Sequence, residues 1–225
     1  MMLAVETSGA EGSIALSDGQ DLIEERLLQT TGRRHAQTLV AEVDGLLKEH
    51  SLSPSDIECV AVSAGPGSFT GLRVGVVFAK TFAWINDARL VAVDTLQAIA
   101  QRVPAEFTAS RVTVISDAQR GDVFVNDYEW DADAAIRQPA GSVRIEPLAA
   151  VVSCGTLVTG PGLTKFAAEF PSTALLANES LWQPRASAVA EIGRYLLQQS
   201  QFADPHTLEP LYIRRSYAEE KSAGG

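Results

Sequence analysis

The run Ser63-Ala64-Gly65-Pro66-Gly67-Ser68-Phe69-Thr70-Gly71-Leu72-Arg73-Val74-Gly75 constrains the fold of this chain more than any other stretch. It follows a strand-like segment, Ile57 to Val62, and leads into a long apolar segment, Leu72 to Ile85. A strand, a Gly-Pro-Gly turn and a helix start are packed into one short piece, which points to an α/β fold. Such a junction resembles an anion site, because a helix N-terminus presents free backbone N–H groups. It fits neither common nucleotide fingerprint, however. A P-loop ends in Gly-Lys-Ser/Thr, and the first lysine after this turn is Lys80. A dinucleotide turn needs G-x-G-x-x-G, and here the last glycine of Gly65, Gly67 and Gly71 comes one residue late.

Upstream, Leu3 to Glu6, Ser13 to Ser17 and Asp21 to Leu28 read as short strands, with Asp18-Gly19 as a hairpin signal. An amphipathic helix is expected from Arg34 to Glu49, since Leu39, Val40, Val43, Leu46 and Leu47 share one helical face. After the glycine run and its helix come a buried strand, Leu90 to Val93, and a short helix from Thr95. Around Pro104 the pattern restarts. Strands are expected at Val112 to Ser116, Val123 to Tyr128 and Thr156 to Thr159, and a loop over Asp131 to Gly141. Short helices are expected at Leu148 to Val152 and Leu163 to Phe170, and a long one at Ala186 to Gln199. An extended tail covers Leu208 to Tyr217. The simplest parse is two α/β units, 1–102 and 103–225.

The apolar helix carries a second message. Gly71, Gly75, Ala79 and Ala83 recur every four residues and form a small-residue stripe, against which another helix can approach closely. Val76, Phe78, Phe82, Trp84 and Ile85 crowd the other faces. A helix apolar nearly all round is either a core helix or one shared between core and partner. The shared reading is preferred here. It makes Gly71, Gly75, Ala79 and Ala83 the close-packing surface, with His35, Arg73 and Lys80 as a polar rim. On that reading Gly75→Leu disrupts the interface more than the fold.

Composition limits the chemistry. Net charge is −10 (18 basic against 28 acidic residues), which opposes autonomous nucleic-acid binding, although Arg33-Arg34 and Arg214-Arg215 form small basic pairs. The longest apolar stretch is interrupted by Arg73 and Lys80, so no membrane span is expected, and the N-terminus has no signal-peptide pattern. Cys59 and Cys154 read as reduced, buried thiols of a cytosolic protein. His35, His50 and His206 show no metal-ligand spacing, so no metal is expected. Ser68 and Thr70 are read as helix caps rather than nucleophiles. The acid–base candidates are Glu6, Asp94, Asp117 and Asp122. Glu6 and Asp117 each end a strand and open one half of the chain, where sugar kinases and actin-like ATPases place their two phosphate-loop aspartates. Glu6-Thr7-Ser8-Gly9 keeps part of the first turn. In Asp117-Ala118-Gln119-Arg120-Gly121 the second glycine run is gone, and Gln119 and Arg120 would crowd the phosphate position. Glu6, Thr7, Ser8 and Asp117 are therefore vestigial phosphate-site candidates.

These segments together resemble the TsaB (YeaZ) family, partners in making threonylcarbamoyladenosine on tRNA. The resemblance rests on Leu3-Ala4-Val5-Glu6-Thr7-Ser8, Arg33-Arg34-His35-Ala36, the glycine run itself, Asp117-Ala118-Gln119-Arg120-Gly121-Asp122-Val123 and Glu209-Pro210-Leu211-Tyr212-Ile213-Arg214-Arg215. It implies two tandem RNase H-like subdomains, the actin-like ATPase architecture in reduced form. It also implies a cytoplasmic protein, classed with glycoprotease-like proteins, that is a homodimer alone and a heterodimer with the catalytic protein TsaD in function. Both assemblies would use helices of the first subdomain. ATP and metal are then expected on TsaD and no cofactor on the isolated chain. The ATPase TsaE joins at the heterodimer, and tRNA is met mainly through the complex. Glu6 departs from the family's usual aspartate. Two other readings compete with this non-catalytic role: an ATP-binding enzyme using Glu6 and Asp117, and a glycoprotease-like protease.

Overall fold

Every residue of β1 (Met2–Glu6) is buried, which requires a central strand covered on both faces. The computed structural model, which describes residues 1–28, 35–104, 111–152 and 155–213 (side chains of 35–37 excepted), shows how. β2 (Ser13–Asp18) and β3 (Asp21–Leu27) run antiparallel on one side of β1, joined by a tight hairpin at Gly19. β4 (Cys59–Gly65) and β5 (Arg89–Asp94) run parallel on the other side. The resulting order, β3-β2-β1-β4-β5, is the RNase H-like sheet.

Side chains alternate across this sheet. Leu3, Val5, Ile14 and Leu16 point to a layer made by α1 (His35–Glu49) and α2 (Phe69–Asn86), where they meet Leu39, Val43, Leu46, Val76 and Ala79. Met2, Ala4, Ala15 and Ala61 point the other way, to α3 (Thr95–Gln101) and α6 (Ala186–Gln198). Small residues on that face let α6 lie close: a Cβ on Gly193 would sit 2.6 Å from the Ala61 methyl.

The second sheet has the order β10-β6-β7-β8, from β6 (Val112–Gln119), β7 (Asp122–Asp131), β8 (Ile136–Pro139) and β10 (Leu157–Thr159), while β9 (Arg144–Pro147) also pairs with β7. α4 (Leu148–Val151) and α5 (Leu163–Phe166) cover it, the latter running on as a 3₁₀ turn, Ala167–Glu169. The loop expected over 131–141 in fact contains β8. That strand is too short to show an alternating pattern, and its buried positions are held by Ile136 and Arg137.

α3 joins the halves. Leu96, Ile99 and Ala100 pack with Val112, Val114 and Tyr128 of the second unit. Its N-cap Asp94 accepts hydrogen bonds from the Gln97 N–H (3.0 Å) and the Tyr128 hydroxyl (3.3 Å). Burial raises the Asp94 carboxyl above its ordinary range despite these donors. Asp94 is thus a structural cap.

A contiguous boundary at 102/103 does not describe the packing. α6 returns to the first sheet, and the following segment stays there: the Ala203 N–H donates to Leu90 O (2.8 Å). The buried face of α6, with Ala186, Ala188, Val189, Ala190 and Ile192, packs on the Ala-lined face of the first sheet. Cys154, Arg33-Arg34 and Arg214-Arg215 lie outside the described residues.

Candidate functional site

The glycine run ends β4 and starts α2, as expected, and its peptide Gly65–Pro66 is cis. Ser68 is the helix N-cap, its Oγ accepting from the Gly71 N–H (3.3 Å), which satisfies one of the orphan donors of the first turn. The expected capping role of Ser68 is therefore seen.

The glycines themselves serve backbone-to-backbone contact. The Ser68 N–H donates to Ser8 O (2.8 Å) and the Thr7 hydroxyl donates to Gly71 O (2.8 Å). A Cβ on Gly67 would lie 2.7 Å from Ser8 O, one on Gly71 would overlap the Thr7 carbonyl oxygen, and one on Gly75 would overlap the Thr7 hydroxyl. The first two turns of α2 thus lie directly on the turn that follows β1. Gly65, at φ +121°, does the same for the segment around Leu211: a Cβ there would be 2.8 Å from Leu211 O.

Glu6 is fully buried at the end of β1. One carboxyl oxygen accepts from the N–H and hydroxyl of Ser8 and from the Gly9 N–H (3.3 Å), and the other accepts from the Ser63 hydroxyl. Desolvation outweighs these donors and raises its pKa above the usual 4.5. The carboxyl stitches its own turn to β4 and does not point into open space. A raised folded-state pKa means that Glu6 contributes fully to stability below pH 4.5 and loses that contribution as pH rises through the folded value. Glu6→Gln can keep the acceptor oxygen and offer its amide to Ser63 without the charge. Its stability relative to the parent chain is expected to be flat below pH 4.5 and to increase toward neutral pH. Urea unfolding of both proteins from acid to neutral pH checks this, and a difference that does not vary with pH contradicts it.

The second turn has a different build. Asp117 is partly exposed; it accepts from the Gln119 N–H (2.8 Å) and pairs with Lys165 (3.0 Å). Gln119, Arg120 and Gly121 all have positive φ (66°, 59° and 87°), making a tight hairpin into β7. Asp122 begins that strand, opposite Gln119 in the register.

Between the two turns lies a cleft of about 910 Å³. Ser8, Gly67, Ser68, Phe69 and Thr70 form its first wall, Asp117 to Arg120 with Phe124 and Thr164 its second, and Leu211 to Ile213 its rim. Of the four vestigial phosphate-site candidates, Ser8 and Asp117 line this cleft, while Glu6 and Thr7 are turned into the protein's own packing. Gln119 and Arg120 stand on the cleft wall, where the sequence expects them to crowd a phosphate.

The residues expected to form an interface are placed otherwise. Gly71, Gly75, Ala79 and Ala83 are buried within the chain, against Thr7, Val62 and the first core. The close approach read from their spacing is real, but its partner is the chain's own β1–β4 region. Arg73 and Lys80 are also engaged: the Arg73 Nε donates to the Tyr212 hydroxyl (3.1 Å), and the Lys80 ammonium donates to Leu208 O (2.8 Å). The His35 side chain lies outside the described residues.

What α2 turns outward is the stripe Val77, Thr81, Trp84 and Ile85, at i, i+4, i+7 and i+8. Val77, Trp84 and Ile85 are 62%, 65% and 68% exposed, and Val40 of the adjacent α1 is 60% exposed. The small-residue stripe therefore faces the core, and the large apolar residues of the same helix face outward. Trp84 and Ile85 were already conspicuous as large apolar residues beside a stripe that core packing suffices to explain.

Among the described residues, no group of three or more His, Cys, Asp or Glu side chains could hold a metal ion, and no helix is long and apolar enough to cross a membrane. Cys59 is buried, which pushes its thiol up to about 12 and leaves it unreactive.

A family model described as "TsaD: tRNA N6-adenosine threonylcarbamoyltransferase" matches residues 29–221. The Bacillus subtilis protein "tRNA threonylcarbamoyladenosine biosynthesis protein TsaB" is 28% identical over 229 residues, spanning 98% of this chain and 96% of its own. The Escherichia coli protein of the same name is 27% identical over 235 residues, spanning 99% of this chain and 98% of its own. Among solved structures, "YeaZ from Pseudomonas aeruginosa" shares the fold with a TM-score of 0.80 at 23% identity, covering 94% of this chain and 99% of that one.

Proposed function

Since the chain belongs to the tRNA N6-adenosine threonylcarbamoyltransferase family, and within it to the TsaB (YeaZ) line, we propose that it is a non-catalytic partner that binds and activates TsaD. The reaction served is threonylcarbamoyl transfer to the adenosine next to the tRNA anticodon. The observation that carries this reading is the outward face of α2, where three large apolar side chains stand more than 60% exposed on one stripe. Exposed apolar surface of this kind marks a docking site.

The cleft supports the non-catalytic part. An actin-like ATPase needs two open, glycine-lined turns with free carboxylates. Here Glu6 is saturated by Ser8, Gly9 and Ser63, and Asp117 is paired with Lys165 beside the side chains of Gln119 and Arg120. ATP and metal then belong to TsaD, TsaE joins the heterodimer, and tRNA is met through the complex. A homodimer of the free chain would use the same α2 face, and the assembly would work in the cytoplasm.

The test is to mix the chain with TsaD from the same organism and follow the product by light scattering on a sizing column. A one-to-one complex is expected. Two unchanged peaks from folded proteins, with TsaE and ATP also present, would overturn the reading. ATP hydrolysis by the isolated chain that is abolished by Asp117→Asn would replace it with the enzyme reading.

A further inference from the structure

The last described residues form an extended strap. Lys80 holds its start, donating to Leu208 O (2.8 Å) and His206 O (3.4 Å). The Leu211 N–H then donates to Ala64 O (2.7 Å), at the point where the β4–β5 register shifts between Ser63 and Gly65. Next, the Tyr212 ring lies 4.8 Å from the Phe69 ring, with the Arg73 guanidinium 4.0 Å over Phe69 and bonded to the Tyr212 hydroxyl.

Two features set the strap apart from an ordinary surface segment. Its seat is built into the glycine run, because only a glycine at 65 lets the Leu211 carbonyl come so close. Its hold is nevertheless superficial: Leu211 and Tyr212 are 49% and 38% exposed, and neither belongs to a buried core cluster. Leu208 packs against the first core and anchors the start of the strap, whereas among the described residues Leu211 and Tyr212 are held by one backbone bond, one ring pair and the Arg73 contact, and this outer part lies at the low end of local stability. Leu211, Tyr212 and Ile213 also line the cleft, together with Pro66 to Thr70, and Tyr212 meets Phe69 there.

We propose that Leu208–Ile213 is a latch on the cleft mouth. Closed, it fences the turn at 65–67 and the first turn of α2. It opens by local release from Phe69 and Arg73 while both sheets stay folded. This stands independently of the TsaD reading, since every contact it uses lies within one chain.

Hydrogen exchange on the full chain tests it. Tyr212→Ala removes the ring pair and the hydroxyl contact. Exchange at the Leu211 amide, which is bonded to Ala64 O, is expected to rise about tenfold, with β1 and the C-terminal half of α2 unchanged. Tyr212→Phe keeps the ring and should stay near the parent rate. Lys80→Ala loosens the strap from its other end and gives a second route should Tyr212→Ala fold poorly. Unchanged exchange at Leu211 in both Tyr212→Ala and Lys80→Ala would overturn the proposal. So would faster exchange that spreads into β1 and β4, which would make the strap a structural clasp.

Discussion

Gly71→Ala is expected to lower the melting temperature sharply, although it adds a single methyl group to a helix and alanine is the better helix former. The added carbon would overlap the Thr7 carbonyl oxygen, and that oxygen is backbone. Thr7 is buried, its hydroxyl is committed to Gly71 O, and it follows directly from a central strand. Neither partner can move without displacing β1 or α2. Overpacking against such a neighbour costs about 3 kcal/mol, which for a chain of this size corresponds to roughly 10 °C. Calorimetry of the two proteins measures it. A melting temperature within about 2 °C of the parent would show that the turn at 7–8 yields. Gly75→Leu should behave in the same way, losing fold rather than partner binding alone, because the Thr7 hydroxyl and Val62 occupy the space it needs. This reverses the expectation drawn from the spacing of the small residues.

Trp84→Ala is expected to do the opposite. It should weaken the complex with TsaD about 30-fold, corresponding to about 2 kcal/mol for an aromatic anchor near the centre of an interface. The fold should scarcely respond, since substitutions at exposed positions usually stay within about 0.5 kcal/mol and Trp84 is 65% exposed. Titration calorimetry against TsaD, with a melting curve as control, separates the two effects. Val77→Asp, on the same stripe, should act in the same direction. If Trp84→Ala and Val77→Asp both bind as the parent does, the docking surface lies elsewhere.

Much of the framework was legible in the chain because it depends on local pattern. The strand–turn–helix junction, the amphipathic α1, the hairpin at Gly19 and the cap at Ser68 all follow from short-range spacing and turn chemistry. The turn after Asp117 was readable as a break between two strands, and the structure shows it as a tight hairpin with Gln119 and Arg120 on the cleft wall. β8 was not legible, because a strand of four residues carries too little periodicity to outweigh the polar residues around it.

The candidate site divides along the same line. The sequence by itself determined that Gly71, Gly75, Ala79 and Ala83 share one close-packing face, that Glu6 and Asp117 open the two halves, and that the tail is extended. Periodicity and strand ends are properties of the backbone and need no neighbours. Tertiary structure alone decided what those features meet. It put the small face on Thr7 and Val62, closed Glu6 inside a shell of Ser8, Gly9 and Ser63, and brought Leu211 and Tyr212 back across some 140 residues to Gly65 and Arg73. A helical stripe of small side chains specifies how near a neighbour may come but carries no label for which neighbour. That choice rests on which apolar faces must be buried together, and here α2 packs on the Leu3, Val5 and Val62 face of the first sheet, while α6 covers the opposite face.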